Sequence, residues 1–129
     1  MNGSCQVLLI DDDPLQLTVR QAVLRNAGFQ VAIATTAESA LTMLQVLGQR
    51  IGVIVTDHLM PVCSGSEFVR RLRTENDQVP IIVLSGLPEA IGEYEGLQVV
   101  FKAKPMPPAE LIELVRNRLA NFHPKRGAA

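Results

Sequence analysis

Residues 53–61 read Val-Ile-Val-Thr-Asp-His-Leu-Met-Pro. The stretch begins with three β-branched aliphatic residues, and this apolar run ends at Thr56 and Asp57. The run does not alternate between apolar and polar residues, and this is typical of a strand buried on both faces of a parallel sheet. Runs of the same kind lie before and after it in the chain. The predicted strands cover residues 7–10, 31–34, 53–56, 80–85 and 99–102.

The stretches between these strands carry apolar residues at helical spacing. Two stripes lie within residues 37–47 and 111–122, and a shorter one covers residues 68–72. A further stripe precedes the second strand, and Gly28 fits the end of its helix. Its members are Leu15, Val19, Val23 and Ala27. Strands that alternate with helices in this way predict an α/β fold, with a five-stranded parallel sheet sandwiched by helices.

Helix start signals agree with these stretches. The signals are the capping-box patterns Thr35-x-x-Glu38 and Ser64-x-x-Glu67, the pair Pro107-Pro108 before the last helix, and Asp13 before Pro14 at the first. We therefore expect Asp13 to cap a helix and not to bind a metal.

Length and composition limit the classes of protein that fit. The 129 residues indicate a single domain over 1–129, with a core from about 6 to 120 and a tail over 121–129. Because 12 Lys and Arg face 13 Asp and Glu, we expect no nucleic acid partner and no membrane partner. The longest aliphatic runs are four residues, far below the roughly 20 that span a bilayer. The absence of a basic leader and the isolated Cys5 and Cys63 favour a cytoplasmic location.

Polar residues lie at the carboxyl ends of four of the predicted strands. They are Asp11-Asp12-Asp13, Thr56-Asp57, Ser85-Gly86 and Lys104-Pro105. In an open parallel sheet, ligands bind beyond the carboxyl ends of the strands. Acidic side chains that converge there need a cation to offset their repulsion, and oxygen ligands suit Mg²⁺. A carboxylate, a divalent ion, a hydroxyl and an ammonium in one crevice are the groups that phosphoryl transfer requires.

Four motifs in this order resemble the receiver domain of two-component response regulators, the chemotaxis-type phosphoacceptor domain. They are Val-Leu-Leu-Ile-Asp-Asp-Asp-Pro at 7–14, the run at 53–61, Ile-Ile-Val-Leu-Ser-Gly at 81–86, and Phe-Lys-Ala-Lys-Pro at 101–105. The resemblance covers about residues 6–119 and implies a flavodoxin-like sheet with strand order 2-1-3-4-5. It also implies a phosphorelay protein that receives a phosphoryl group from a histidine kinase or a histidine phosphotransfer protein. Such a protein is a signalling domain, limited to self-phosphotransfer and slow autodephosphorylation.

The resemblance assigns phosphoryl-handling roles to residues of this chain. Asp57 is the implied phosphoacceptor, and it attacks a phosphohistidine or a small acyl phosphate. Ser85 and Lys104 are implied to bind the phosphoryl group once it is on Asp57. Phe101 matches an aromatic position whose rotamer accompanies signalling, and the bond between Lys104 and Pro105 is expected to be cis.

A Mg²⁺ site is implied by the same resemblance. Asp12 and Asp57 are the direct ligands, the backbone carbonyl of Leu59 completes the protein ligands, and Asp11 acts mainly through a bound water. Leu59 and Leu87 occupy positions that flank the approach of hydrolytic water. Neither leucine can orient a water molecule, so we expect a long-lived phosphorylated state.

Some features depart from the family pattern or stand outside it. Only 18 residues separate Ser85 from Lys104, so the helix between strands 4 and 5 must be short or irregular. This puts the usual output surface, formed with that helix, in doubt. His58 and Cys63 have no partner pair at metal-ligand spacing, and we expect both to be solvent-facing loop residues.

Two other classes of protein remain open. A phosphatase of the haloacid-dehalogenase kind would use Asp11 and Asp13 as nucleophile and acid/base, although no later acidic motif follows Lys104. A receiver-like interaction module that is never phosphorylated is the second alternative. For the receiver domain itself we expect a monomer or weak dimer, which is either a stand-alone receiver or part of a larger protein such as a hybrid kinase.

Overall fold

A computed structural model describes residues 6–75 and 78–121 of the chain. Five strands form one parallel sheet in the order β2-β1-β3-β4-β5. The strands are β1 Gln6–Ile10, β2 Gln30–Ala34, β3 Ile51–Asp57, β4 Ile81–Ser85 and β5 Val100–Ala103. The helices are α1 Pro14–Asn26, α2 Ala37–Leu47, α3 Gly65–Arg73 and α4 Pro108–Asn121, with 3-10 helices at Gly48–Arg50 and Pro88–Tyr94. The predicted fold class and strand order are confirmed.

The central strand β3 is buried along its whole length, which explains its continuous apolar sequence. Side chains of successive residues point to opposite faces of the sheet, and each face has its own hydrophobic core. Ile54 lies in the core covered by α2 and α3, whereas Val53 and Val55 lie in the core covered by α1 and α4. The two layers of helices hold the sheet so that all five carboxyl ends meet at one edge.

The predicted apolar stripe of α1 is wrong. Leu15 is 71% exposed and Val19 is 53% exposed, while the side chains buried against the sheet are Leu17 and Leu24. The helix carries two sets of aliphatic residues, and the rotation of the helix about its axis is decided by packing on the sheet. Periodicity alone could not distinguish the two sets.

Helix ends follow the predicted signals with one exception. Asp13 caps α1 through its side chain, and Ser64 forms a capping box with Glu67 at α3. The cap of α2 is Thr36, whose side chain accepts from the backbone N–H of Ser39, so the predicted cap at Thr35 is wrong by one residue. The last residues of the stripe in α4 and the predicted tail lie partly outside the described residues.

The connection between β4 and β5 contains only the 3-10 helix Pro88–Tyr94, called the β4–β5 helix below. The prediction of a short or irregular helix is confirmed. The return to β5 passes through Gly96, whose φ of 79° is readily adopted by glycine. Among the described residues, no helix is both long and apolar enough to cross a membrane.

Candidate functional site at the carboxyl edge of the sheet

Asp57 is the last residue of β3, and its carboxylate lies in the crevice at the carboxyl edge of the sheet. The residue is 6% exposed, and Lys104 Nζ lies 2.5 Å from its Oδ1. The backbone of Lys104 is fixed by a hydrogen bond from its N–H to the carbonyl of Ser85, 2.8 Å long. The ends of β3, β4 and β5 are thereby tied together around one carboxylate. The bond between Lys104 and Pro105 is cis, as expected.

Asp57 lies in a cluster of three carboxylates with Asp11 and Asp12. Their nearest carboxylate oxygens all lie within 4.8 Å of one another, and this is the one such group found among residues 6–75 and 78–121. Asp11 and Asp57 are buried, whereas Asp12 is exposed. An all-oxygen set that is open to water on one side fits Mg²⁺, which usually keeps several waters.

Arg20 of α1 also belongs to this site, and the sequence analysis missed it. Its Nη1 lies 2.6 Å from Asp11 Oδ2, and its Nη2 donates to Gln16 one turn earlier. The other oxygen of Asp11 accepts from the N–H of Asp13 at 2.9 Å. Both oxygens of Asp11 are therefore already engaged. The only available signal was a charged residue beside Val19, and that signal could not be separated from an ordinary exposed helix position.

The pKa of the Asp57 carboxyl is raised above the ordinary value of 3.8. Burial is the main cause, and the nearby charge of Asp11 acts in the same direction. The hydrogen bond and charge of Lys104 lower this pKa, and Arg20 lowers it further, but they do not outweigh burial. A cation bound among the carboxylates would favour the ionised form of Asp57.

Ser85 is buried at the end of β4, next to β3 in the sheet. Its Oγ accepts from the N–H of Leu87 at 2.9 Å and lies 3.2 Å from the carbonyl oxygen of the same residue. The hydroxyl is thus occupied by the loop that follows β4. Leu87 and Leu59 are 37% and 58% exposed, so both aliphatic side chains reach the surface near the site.

The prediction that His58 faces solvent is wrong. The residue is 4% exposed, and its Nδ1 lies 2.6 Å from the hydroxyl of Tyr94. His58 continues the alternation of β3, so its side chain falls on the same face of the sheet as Ile54, which α2 and α3 cover. Cys63 is half-buried and packs against the core under α2 and α3, so its predicted exposure is wrong as well.

Phe101 on β5 is half-buried, and its ring meets that of Tyr94 with a centroid distance of 5.6 Å. Tyr94 was another residue that the sequence analysis missed. The sequence offered only one signal for Tyr94, which is that it is the single tyrosine of the chain.

Asp13 is not part of the carboxylate cluster. Its Oδ1 accepts from the N–H of Leu15 at 3.0 Å, as expected for a helix cap. The nucleophile and acid/base pair of the phosphatase alternative would need Asp11 and Asp13 to be available together. Asp11 is paired with Arg20 and Asp13 caps α1, so the geometry does not favour that alternative.

The sequence is similar to those of known proteins. The family model for the response regulator receiver domain matches residues 7–116. The C4-dicarboxylate transport transcriptional regulatory protein DctD of Pseudomonas aeruginosa is 36% identical over 122 residues, which cover 92% of this chain and 26% of that protein. The DNA-binding response regulator MtrA of Mycolicibacterium smegmatis is 32% identical over 117 residues, or 88% of this chain and 50% of that protein.

Solved structures show the same fold. The chemotaxis protein CheY4 of Vibrio cholerae superposes with a TM-score of 0.81 at 29% identity, covering 90% of this chain and 99% of that one. The chain spans about half or less of the length of curated relatives such as DctD and MtrA. Any further domains of those relatives therefore have no counterpart in the matched stretch.

Proposed function

This chain belongs to the response regulator receiver domain family of two-component systems, and we propose that it signals by accepting a phosphoryl group on Asp57. The observation that carries the proposal is the position of Asp57. Its carboxylate lies at the carboxyl edge of the sheet, paired with Lys104 and clustered with Asp11 and Asp12. A nucleophile, a positive charge and a candidate metal site are thereby brought to one point.

In the proposed reaction an oxygen of Asp57 attacks the phosphorus of a phosphohistidine or of a small acyl phosphate. The bond from phosphorus to nitrogen or to the acyl oxygen breaks, and its electron pair leaves with the donor. Lys104 is close enough to Asp57 to pair with the transferred group as a point charge. Ser85 would exchange its bonds with Leu87 for a bond to a phosphoryl oxygen, and this would draw the loop after β4 inward.

We propose that Mg²⁺ supports this reaction. Asp12 and Asp57 would hold the ion directly, together with the carbonyl of Leu59. Both oxygens of Asp11 already have protein partners, which supports an indirect role for Asp11 through a bound water. When bound, the ion would neutralise charge on the phosphoryl oxygens.

The phosphodonor is proposed to be a histidine kinase or a histidine phosphotransfer protein, docked in a groove between α1 and the start of α4. The groove has a volume of about 600 Å³ and runs from exposed Leu15 and Val19 to Met106 and Lys104. Lys104 is the ion-pair partner of Asp57, so an apolar helix face seated there would bring its phosphohistidine to the acceptor. This continuity with Asp57 is the reason to assign the groove to the donor.

Other properties remain proposals for this stretch of chain. We propose a cytoplasmic location, which the isolated cysteines favour, and a monomer or weak dimer. One relative is named a DNA-binding response regulator, so the expectation of no nucleic acid partner concerns residues 1–129 alone. A single domain with its core over about 6–120 is likewise proposed.

Beryllofluoride with Mg²⁺, an analogue of the aspartyl phosphate, tests the proposal. We expect it to shift the backbone amide resonances of Ser85 and Gly86. Asp57→Asn should abolish the shifts. Asp13→Asn is the matched control, because asparagine also caps helices well, and it should retain them. If these amide resonances do not shift in the parent protein, the result would instead support the alternative that the chain is an interaction module that is never phosphorylated.

A further inference from the structure

His58 links the phosphoacceptor to the β4–β5 helix. It directly follows Asp57 in the chain, yet its side chain lies on the other face of the sheet from that carboxylate, among the residues covered by α3 and the β4–β5 helix. The backbone on either side of it is fixed, since its N–H donates to the carbonyl of Leu84 and its carbonyl accepts from Gly65. Any displacement of this backbone therefore moves the imidazole.

Both nitrogens of the His58 ring face the β4–β5 helix. Nδ1 lies 2.6 Å from the hydroxyl of Tyr94, and Nε2 lies 3.7 Å from a carboxylate oxygen of Glu93. The tautomer that suits both neighbours has the tyrosine hydroxyl donate to Nδ1, with Nε2–H directed to the carboxylate. Burial raises the pKa of the Tyr94 hydroxyl, so the hydroxyl keeps its proton for this bond.

Close approach of the tyrosine depends on Gly65, the first residue of α3. A Cβ at this position would lie 2.5 Å from Tyr94 Oη and 2.7 Å from the backbone oxygen of Asp57. No other residue type would leave this space open. The tyrosine hydroxyl and the backbone oxygen of the phosphoacceptor therefore both border the space beside Gly65.

Tyr94 and Glu93 extend the connection outward. The Tyr94 ring packs on Phe101 of β5, and Glu93 accepts from the hydroxyl of Ser66 at 2.8 Å. Arg70 of α3 also donates to the Glu93 carbonyl. Tyr94 and Glu93, two neighbouring residues of the β4–β5 helix, thus connect His58 with β5 and with the half-exposed surface at Glu93.

We propose that the hydrogen bond between His58 and Tyr94 couples the state of Asp57 to the positions of the β4–β5 helix and Phe101. The inference rests on phosphorylation at Asp57, as proposed above. His58 acts in it as a positioning residue, because it does not touch the transferred group. The route runs on the face of the sheet opposite the Asp57 carboxylate and reaches the β4–β5 helix at Tyr94, whereas Ser85 acts on the same connection at Leu87.

The single tyrosine allows a site-specific test. Protein labelled with ¹³C at the tyrosine Cζ gives one such signal, which reports on hydrogen bonding of the Tyr94 hydroxyl. On addition of beryllofluoride and Mg²⁺ we expect this signal to shift together with the Ser85 amide. His58→Phe keeps a flat ring but has no nitrogen, and it should lose more than half of the tyrosine shift while the Ser85 amide still responds.

His58→Asn is the matched control, because its side-chain oxygen can accept near the position of Nδ1, and it should restore most of the tyrosine shift. If His58→Phe does not fold, Tyr94→Phe removes only the hydroxyl, and the amides of Ile91 and Gly92 then replace the tyrosine signal. Their response should fall by more than half. The coupling would be overturned if His58→Phe kept the full shift of the tyrosine signal, or if Tyr94→Phe kept the full shifts of the Ile91 and Gly92 amide resonances. A parent protein in which Ser85 responds and Tyr94 does not would also overturn it, whereas silence at Ser85 would refute phosphorylation itself.

Discussion

Lys104 Nζ lies 2.5 Å from Asp57 Oδ1, although β4 stands between β3 and β5 in the sheet. The lysine reaches the carboxylate across the end of β4, where its own N–H is bonded to the Ser85 carbonyl. One ion pair therefore joins three strand ends. Any group added to Asp57 must be accommodated by both Lys104 and the loop after β4.

The raised pKa of Asp57 predicts a pH dependence of stability. Because the folded state binds the proton more tightly than the unfolded chain, ionised Asp57 costs stability above its folded pKa. That cost disappears as the pH falls through the folded pKa towards 3.8. In EDTA, Asp57→Asn should therefore raise the free energy of unfolding at neutral pH, and the gain should shrink on acidification. Urea unfolding at several pH values measures this. A variant less stable than the parent at neutral pH would contradict it.

Neighbouring aspartates should differ in their effect on metal binding. Asp12 is an exposed member of the carboxylate cluster, whereas Asp13 caps α1. We expect Asp12→Ala to weaken Mg²⁺ binding by about tenfold or more, equivalent to about 1.4 kcal/mol. Asp13→Ala should leave binding nearly unchanged and lower stability by about 1 kcal/mol through the lost cap. Calorimetric Mg²⁺ titration and urea unfolding of both variants provide the comparison, and equal losses of affinity would exclude the assignment.

How much could be predicted from the sequence depends on whether a signal is local. The strands and their polar ends were predictable, because a parallel strand buried on both faces has a continuous β-branched sequence and its carboxyl end must border the crevice. The pairing of Arg20 with Asp11 depends on how α1 is rotated against the sheet, as does the exposure of Leu15. The contact of His58 with Tyr94 depends on the path of a 3-10 helix between distant residues. No local pattern encodes those tertiary choices.

The groove beside α1 should affect transfer from a protein donor but not from a small one. Val19 is half exposed in that groove, and its aliphatic side chain has no proposed role in binding the phosphoryl group. We expect Val19→Asp to slow phosphotransfer from a histidine phosphotransfer protein by about tenfold, about 1.4 kcal/mol in the barrier. Labelling by acetyl phosphate should be unchanged. Val46→Asp, at an exposed position of α2, is the matched control. Slowing of transfer from both donors by Val19→Asp would argue against docking.

The lifetime of the phosphorylated state should depend on Leu59 and Leu87. Both are partly exposed beside the site, and neither can orient a water for attack on phosphorus. We expect Leu59→Asn and Leu87→Glu to lose phosphate faster than the parent at saturating Mg²⁺. Dephosphorylation rates of purified, phosphorylated proteins test this directly. Polar variants that are no faster than the parent would show that the leucines do not shield the site.

The most direct test of the central claim is to locate the phosphoryl group. The protein is incubated with acetyl phosphate, with Mg²⁺ or with EDTA, and the modified peptide is identified by mass spectrometry. We predict one phosphoryl group on Asp57 in Mg²⁺, none in EDTA, and none in Asp57→Asn. A phosphoryl group on Asp11, or labelling of Asp57 that is undiminished in EDTA, would contradict the account.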